Sequence, residues 1–318
     1  MTTTLLAIAA LLLGAAPAFA QGYPRSAITL VIPLAPGDAT DVVARTLGDE
    51  LSKLLKVSVV PVNRPGGGMM LGTDSVVRAK KDGYTLLVAP NSSMTAGRIL
   101  NPESVTFDPL RDLTALGMAA RSPLVLAVRQ DAPFKDLREL VDWARKNPGQ
   151  ARVATAGAGT LGHFSVELVN ALTGAGLTAV PFRGAAPGIT ALLGGHVEAA
   201  AYTIGAMSGH FKSGAIRGVV VSSKAPELPE VPTLSQLGFA QNLPGVWIAA
   251  YGPAGLPADV TQALVGAVEK IAKDRAVAAR LAPLGIVPEW APPEKVLAEI
   301  QEEHRVLGDV ARKAGLVK

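Results

Sequence analysis

Short apolar runs alternate along this chain with longer segments in which apolar residues recur at helical spacing. Ile28-Thr29-Leu30-Val31-Ile32 is apolar and β-branched, which predicts a strand. A turn-rich stretch over 33–40 follows, and Val43, Leu47, Leu51 and Leu54 then fall on one helical face. The cadence returns with a strand over 57–62, a tight connection at Gly66-Gly67-Gly68, a helix over 71–79 and a strand over 84–89. A second series opens with a strand at 124–128. The helix after it carries an apolar stripe of Phe134, Leu137, Leu140, Val141 and Ala144, and stops at Asn147-Pro148-Gly149. Strands over 151–155, 178–182, 197–202 and 216–221 come next, with helices starting near Leu161 and Ala185 between them. A strand-like run at 246–251 precedes two amphipathic helices, 258–273 and 293–313.

Alternation of this kind predicts an α/β fold on parallel sheets with helices on both faces. The expected organisation is two lobes, with the chain crossing between them near 119–123 and again near 243–253. Residues 21–122 plus 250–318 would form the first lobe and 123–249 the second, the last two helices packing back on the first. Ligands in open α/β sheets lie outside the carboxyl ends of the strands, so a cleft between such lobes collects strand-to-helix loops from both.

Length agrees with two lobes, because a chain of 318 residues usually divides into more than one core. Residues 1–20 carry no charged side chain, include an apolar run over 5–13 and close on Ala18-Phe19-Ala20, which predicts a secretory signal peptide and a mature start at Gln21. Cysteine is absent, which excludes a thiol nucleophile, a thiolate metal site, a disulfide and a cysteine-borne lipid anchor. The charge balance, 30 Lys and Arg against 26 Asp and Glu, is mildly basic, and the basic residues are scattered. With only 4% aromatic residues, neither a phosphate-tracking stripe nor a base-stacking platform is visible, and no nucleic-acid partner is expected.

Four loops hold the candidate chemistry. In Gly37-Asp38-Ala39-Thr40-Asp41 a glycine allows close backbone approach, and the helix starting there offers unpaired N–H groups to an anion. Asp38 or Thr40 acting only as a helix cap accounts for the same residues. The run Ala156-Gly157-Ala158-Gly159-Thr160 continues through Leu161 to Gly162 and superficially matches a dinucleotide fingerprint. No Asp or Glu lies between Glu167 and Glu198, so the acidic ribose partner is missing and only the anion-accepting helix start is retained. Asn91, Ser92 and Ser93 follow a strand and offer donors to a carboxylate or hydroxyl, or else form an ordinary turn. Arg183 either enters the cleft to pair with a carboxylate or is a solvated surface residue.

Catalytic machinery is thin. The 4 histidines, His163, His196, His210 and His304, show no paired metal-ligand spacing, and neither a Gly-x-Ser-x-Gly elbow nor a P-loop occurs. Only His163 stands beside a cleft loop, where a hydrogen bond to ligand is its expected role. The chain is therefore read as a non-enzyme without cofactor or metal. The alternatives are an envelope hydrolase or lyase using His163 with a cleft serine or carboxylate, and a sensory receptor signalling to a membrane kinase.

Several ordered segments carry a family resemblance. Tyr23-Pro24, the run from Pro33 to Asp41, Asn63-Arg64-Pro65-Gly66 and Asp82-Gly83-Tyr84-Thr85-Leu86-Leu87 look like the Bug receptors of the tripartite tricarboxylate transporter family. The segment 155–160, Val180-Pro181-Phe182-Arg183-Gly184, Leu192-Leu193-Gly194-Gly195-His196-Val197-Glu198, Val231-Pro232-Thr233 and Pro253-Ala254-Gly255-Leu256-Pro257 continue it in order. The resemblance implies a two-lobed periplasmic-binding-protein fold of Venus-flytrap, type II-like form, a small organic acid as ligand, and permease subunits of a tripartite tricarboxylate-type transporter as partners. It also implies a monomer. In the family the loops here numbered 36–41 and 155–160 hold a ligand carboxylate through main-chain amides and bridging waters.

Two departures matter. Where the family usually repeats glycine after Gly37, this chain has Asp38, and where amino-acid-binding members have an Asp after the strand ending near 201, it has Tyr202-Thr203. A ligand ammonium loses that partner unless Asp38 replaces it from the other lobe. The resulting expectation is a non-amino organic acid with an apolar or aromatic body against Tyr202.

Overall fold

The computed structural model describes residues 22–313 and 315–317. The signal peptide expected over 1–20 lies outside the described residues, among which no helix is long and apolar enough to cross a membrane.

Two sheets organise the chain. The first contains β1 (Ile28–Ile32), β2 (Val59–Asn63), β3 (Thr85–Pro90), β4 (Leu113–Ser122), β10 (Val246–Pro253) and β11 (Val287–Ala291) in the order β11-β4-β10-β3-β1-β2. The second contains β5 (Leu124–Arg129), β6 (Arg152–Thr155), β7 (Thr178–Pro181), β8 (Ala199–Thr203) and β9 (Ile216–Val221) in the order β7-β6-β8-β5-β9. Helices α1 (Ala39–Leu55), α2 (Met70–Val77) and α3 (Ala96–Leu100) follow β1, β2 and β3. In the second lobe α4 (Leu137–Lys146), α5 (Leu161–Thr173), α6 (Ala185–Leu193) and α7 (Ile204–Lys212) follow β5, β6, β7 and β8. Then α8 (Ala258–Ala272), α9 (Arg275–Leu281) and α10 (Pro293–Lys313) complete the chain, with α8 and α10 packed on β4 of the first sheet.

Neither sheet is purely parallel, which corrects the expectation from strand–helix alternation. β2, β1 and β3 are parallel, but β10 runs antiparallel to β3 and β4, and β11 antiparallel to β4. In the second sheet β7, β6 and β8 are parallel, while β5 is antiparallel to β8 and β9. The crossings are the reason. A strand that enters a lobe from the hinge begins at the cleft and runs away from it, opposite to strands whose carboxyl ends face the cleft. β5 and β10 are those two strands.

Only Pro123 separates β4 from β5, so the outgoing crossing is almost continuous strand. The return runs from Val221 to Val246, and Val246 pairs back with Ser122 in the first sheet. The Leu124 N–H donates to Ser222 Oγ at 3.0 Å, and the Ser222 N–H donates to the Leu124 carbonyl at 2.8 Å, tying the crossings together. β4 and β11 escape the sequence pattern because neither is a β-branched run. β4 also depends on Gly117, whose φ is +123° and whose missing Cβ leaves room for the Trp290 ring; a Cβ there would stand 2.1 Å from it.

Candidate functional site

The carboxyl ends of β1, β3, β6 and β8 point at one another across the gap between the lobes, and a small cavity of about 40 Å³ lies between them. The first lobe lines it with Leu34, Asp38, Thr40, Met69 and Ser92, and the second with Ala156, Thr160, Leu161, Tyr202 and Thr203. Leu124 and Val246, the first residues of the two hinge-entering strands, also line it.

Helix starts from both lobes converge there. Asp38 caps α1, its Oδ1 accepting from the Thr40 N–H at 2.9 Å. Thr160 caps α5 by accepting from the His163 N–H at 3.3 Å, and Thr203 caps α7 by accepting from the Ala206 N–H at 3.4 Å. All three capping residues line the cavity. Each helix start carries unpaired N–H groups and a partial positive charge, so an anion is favoured without any cationic side chain. Asp38 is the one charged side chain on the wall. Burial pushes its carboxyl up, and the Thr40 bond only partly offsets this. The Thr40 hydroxyl, 1% exposed, sits beside that carboxyl without a well-formed hydrogen bond. Burial, with the Asp38 charge second, also raises the Tyr202 hydroxyl, which donates weakly to the Gly184 carbonyl at 3.5 Å.

Of the residues singled out from sequence, Asp38, Thr40, Ser92, Ala156, Thr160, Tyr202 and Thr203 meet at this cavity. Gly157, Ala158 and Arg183 line an adjoining, larger space with Gly66, Gly67 and Gly68; the two spaces share Leu34, Met69 and Ala156. Arg183 is solvent-exposed there. The others are engaged elsewhere. Asp41 accepts from the Gly37 N–H at 3.1 Å and from Asn63 Nδ2 at 2.9 Å and pairs with Arg45, which pins the β1–α1 loop and holds its own carboxyl below the usual range despite burial. Ala39 is buried in the first turn of α1. Ser93 Oγ donates to the Pro90 carbonyl at 2.8 Å. Asn91 is turned toward α10, donating to Glu303.

His163 faces its own loop, its Nδ1 accepting from the Gly159 N–H at 3.1 Å. Burial lowers its pKa more than neighbouring Glu167 raises it. Because the folded value is depressed, the unfolded chain binds the proton first as pH falls. The stability this contact supplies is therefore complete above the unfolded value of about 6.5 and declines below it. A His163→Gln variant is expected to lose part of the wild-type fall in Tm between neutral and mildly acidic pH; identical Tm profiles would remove His163 from that role.

The lobes touch around the cavity through glycines. A Cβ on Gly68 would lie 2.3 Å from the Ala158 carbonyl oxygen, one on Gly184 2.7 Å from Ala35 Cβ, and one on Gly159 3.0 Å from Gly97 Cα. Each pair joins the first lobe to the second, so the structure is a closed form. Leu34, Met69, Leu124 and Val246 were not singled out by sequence pattern; the available signal was position, since Leu124 and Val246 sit where the chain enters each lobe.

Two α/β lobes on a double crossing, shut over a small cavity ringed by helix starts, define the class of two-lobed periplasmic solute-binding proteins. A family model described as the tripartite tricarboxylate transporter family receptor, TctC, matches residues 43–316. The chain is 31% identical to BugT of Bordetella pertussis over 303 residues, 95% of this chain and 93% of BugT. The solved periplasmic binding protein BugD superposes with a TM-score of 0.87 at 28% identity, covering 93% of this chain and 100% of BugD. MatC from Rhodopseudomonas palustris with bound malate superposes with a TM-score of 0.86 at 30% identity, covering 91% and 99%. This chain belongs to the TctC family of tripartite tricarboxylate transporter receptors, as the ordered motifs led us to expect.

Proposed function

We propose that this protein captures a small organic carboxylate in the interlobe cavity, in the periplasm after export by the leader over 1–20, and hands it without chemical change to permease subunits of a tripartite tricarboxylate-type transporter. The observation that carries the reading is the convergence of three helix starts, capped by Asp38, Thr160 and Thr203, on one cavity between two lobes. The carboxylate sits at the start of α5, where the Leu161 and Gly162 amides have no acceptor within the helix. Contact with both lobes makes ligand favour the closed form, the form a membrane partner distinguishes from the empty one. Malate bound to MatC, a structural relative 30% identical to this chain, supports the ligand class.

The test is a thermal-shift and calorimetric screen of refolded protein against mono-, di- and tricarboxylates, amino acids and neutral analogues. A ligand at a thousandfold excess over its Kd should add about 4 kcal/mol. Stabilisation confined to carboxylate-bearing compounds is expected. No response to any of them in folded protein would sink the reading.

A further inference from the structure

We propose, resting on that reading, that the groove adjoining the ligand cavity is the docking surface by which the membrane partner tells the closed form from the open one, and that its occupant is a periplasmic loop of a permease subunit carrying an apolar side chain flanked by carboxylates. The groove holds about 430 Å³ and is built by both lobes. Pro33, Pro65 and Leu71 come from the first, and Pro181, Phe182 and Arg183 from the second. The close approaches of Gly68 to Ala158 and of Gly184 to Ala35 lie along the same seam. A hinge motion that opens the cleft pulls the two walls apart, so the groove exists only while the lobes are shut.

Exposure separates this surface from the ligand site. Leu71, in the first turn of α2, stays 63% exposed in the closed form, more than any other large apolar side chain among the described residues. A wall that enclosed ligand would be covered by closure, whereas this one still faces solvent afterwards. Arg183 is also exposed, and neither it nor exposed Arg64, which precedes Pro65 in the chain, forms an ion pair among the described residues. No Asp or Glu lines the groove. An apolar patch open to solvent beside unpaired arginines has the make-up of an interface. Charge complementarity sets the chemistry of the occupant: its carboxylates meet guanidiniums able to hold them bidentately, while its apolar residue covers Leu71 and Phe182. Three prolines stiffen the walls, so docking orders little that was free. Because the walls meet only on closure, the loop binds the loaded receptor in preference to the empty one.

The test pairs calorimetry on the mature protein with uptake by cells whose own copy of the chain is deleted and replaced by each variant. The probe is the carboxylate giving the largest stabilisation in the screen above, radiolabelled and supplied at a concentration that saturates the receptor. Leu71→Asp should keep ligand affinity within about twofold of wild type and lower uptake at least tenfold, because it sets a carboxylate against an acidic loop. Val287→Asp is the control, since Val287 is 55% exposed on β11, away from the groove, and should leave uptake unchanged. Arg183→Glu should also lower uptake at saturating ligand. Wild-type uptake by Leu71→Asp, or an equal loss in Val287→Asp, would overturn the docking surface and leave carboxylate capture intact. A large loss of ligand affinity in Leu71→Asp would do the same, by making the groove part of the ligand site. If no carboxylate binds, or if deletion of the chain leaves uptake of the bound carboxylate unchanged, the capture-and-delivery reading falls and this inference with it.

Discussion

Gly68→Ala should reduce ligand affinity by a hundredfold or more while leaving the protein folded. Gly68 approaches the second lobe so closely that an added Cβ would stand 2.3 Å from the Ala158 carbonyl oxygen, a separation that forces the lobes apart. The opposing atom is backbone, so no side chain can swing aside to make room. Ligand held by both lobes loses the contacts of one of them when closure stops short, which is worth several hydrogen bonds at about 1 kcal/mol each. Gly68 also has φ +60°, so alanine costs roughly 1 kcal/mol in backbone conformation alone. Gly149→Ala is the matched control, since it has φ +76° but nothing within 4 Å of the added Cβ. Titration calorimetry should give near-wild-type affinity for Gly149→Ala and little or no heat for Gly68→Ala. Small-angle scattering should show the latter failing to contract with ligand. Wild-type affinity in Gly68→Ala would mean that the seam yields without loss, and closure would need another explanation.

Glu303→Ala should lower stability by about 3 kcal/mol or more, the largest single effect expected outside the apolar core. From α10 its carboxylate accepts from Asn91 Nδ2 at 2.8 Å, Thr95 Oγ1 at 2.7 Å and Trp247 Nε1 at 2.8 Å. Asn91 and Thr95 are fully buried and Trp247 is 2% exposed, so truncation leaves Trp247 Nε1 without its acceptor and takes from Asn91 and Thr95 one of the acceptors each uses. Asn91 in turn donates to the Gly245 carbonyl at 3.1 Å and accepts from the Trp247 N–H at 3.2 Å. One carboxylate therefore joins the C-terminal helix, the return crossing and the loop that carries Ser92 to the cavity. The expected Tm loss is roughly 6 to 12 °C, with a weaker ligand response at temperatures where the variant is still folded. Chemical denaturation with unchanged slope and midpoint would show that the network contributes nothing net.

Both residues illustrate how legible the chain was. The Gly66-Gly67-Gly68 run reads as a tight connection from sequence, and that is its local structure. Its second role, letting Ala158 approach from the other lobe, has no sequence signal because the partner lies far along the chain. Asn91 followed a strand in a cleft loop and fitted a ligand donor, yet the side chain is consumed by Glu303. His163 and Asp41 repeat the lesson within their own loops, where each secures a glycine amide. Asp38 and Thr40 were each open to capping the helix or facing a ligand; Asp38 is the cap and also lines the cavity, while Thr40 lines it from the first turn of α1.

The sequence by itself determined the strand-to-helix cadence, the two-lobed α/β class, the helix starts that aim N–H groups at a cleft, and the family. Those features rest on hydrophobic period, glycine and capping chemistry, which act over a few residues and so leave a local mark. Only the tertiary structure decided that β5 and β10 run against their neighbours, that Leu124 and Val246 line the cavity, and which polar side chains are spent on the scaffold. A strand's direction and a side chain's partner depend on segments brought together by packing, and competition between a distant protein acceptor and a ligand is settled by that geometry alone.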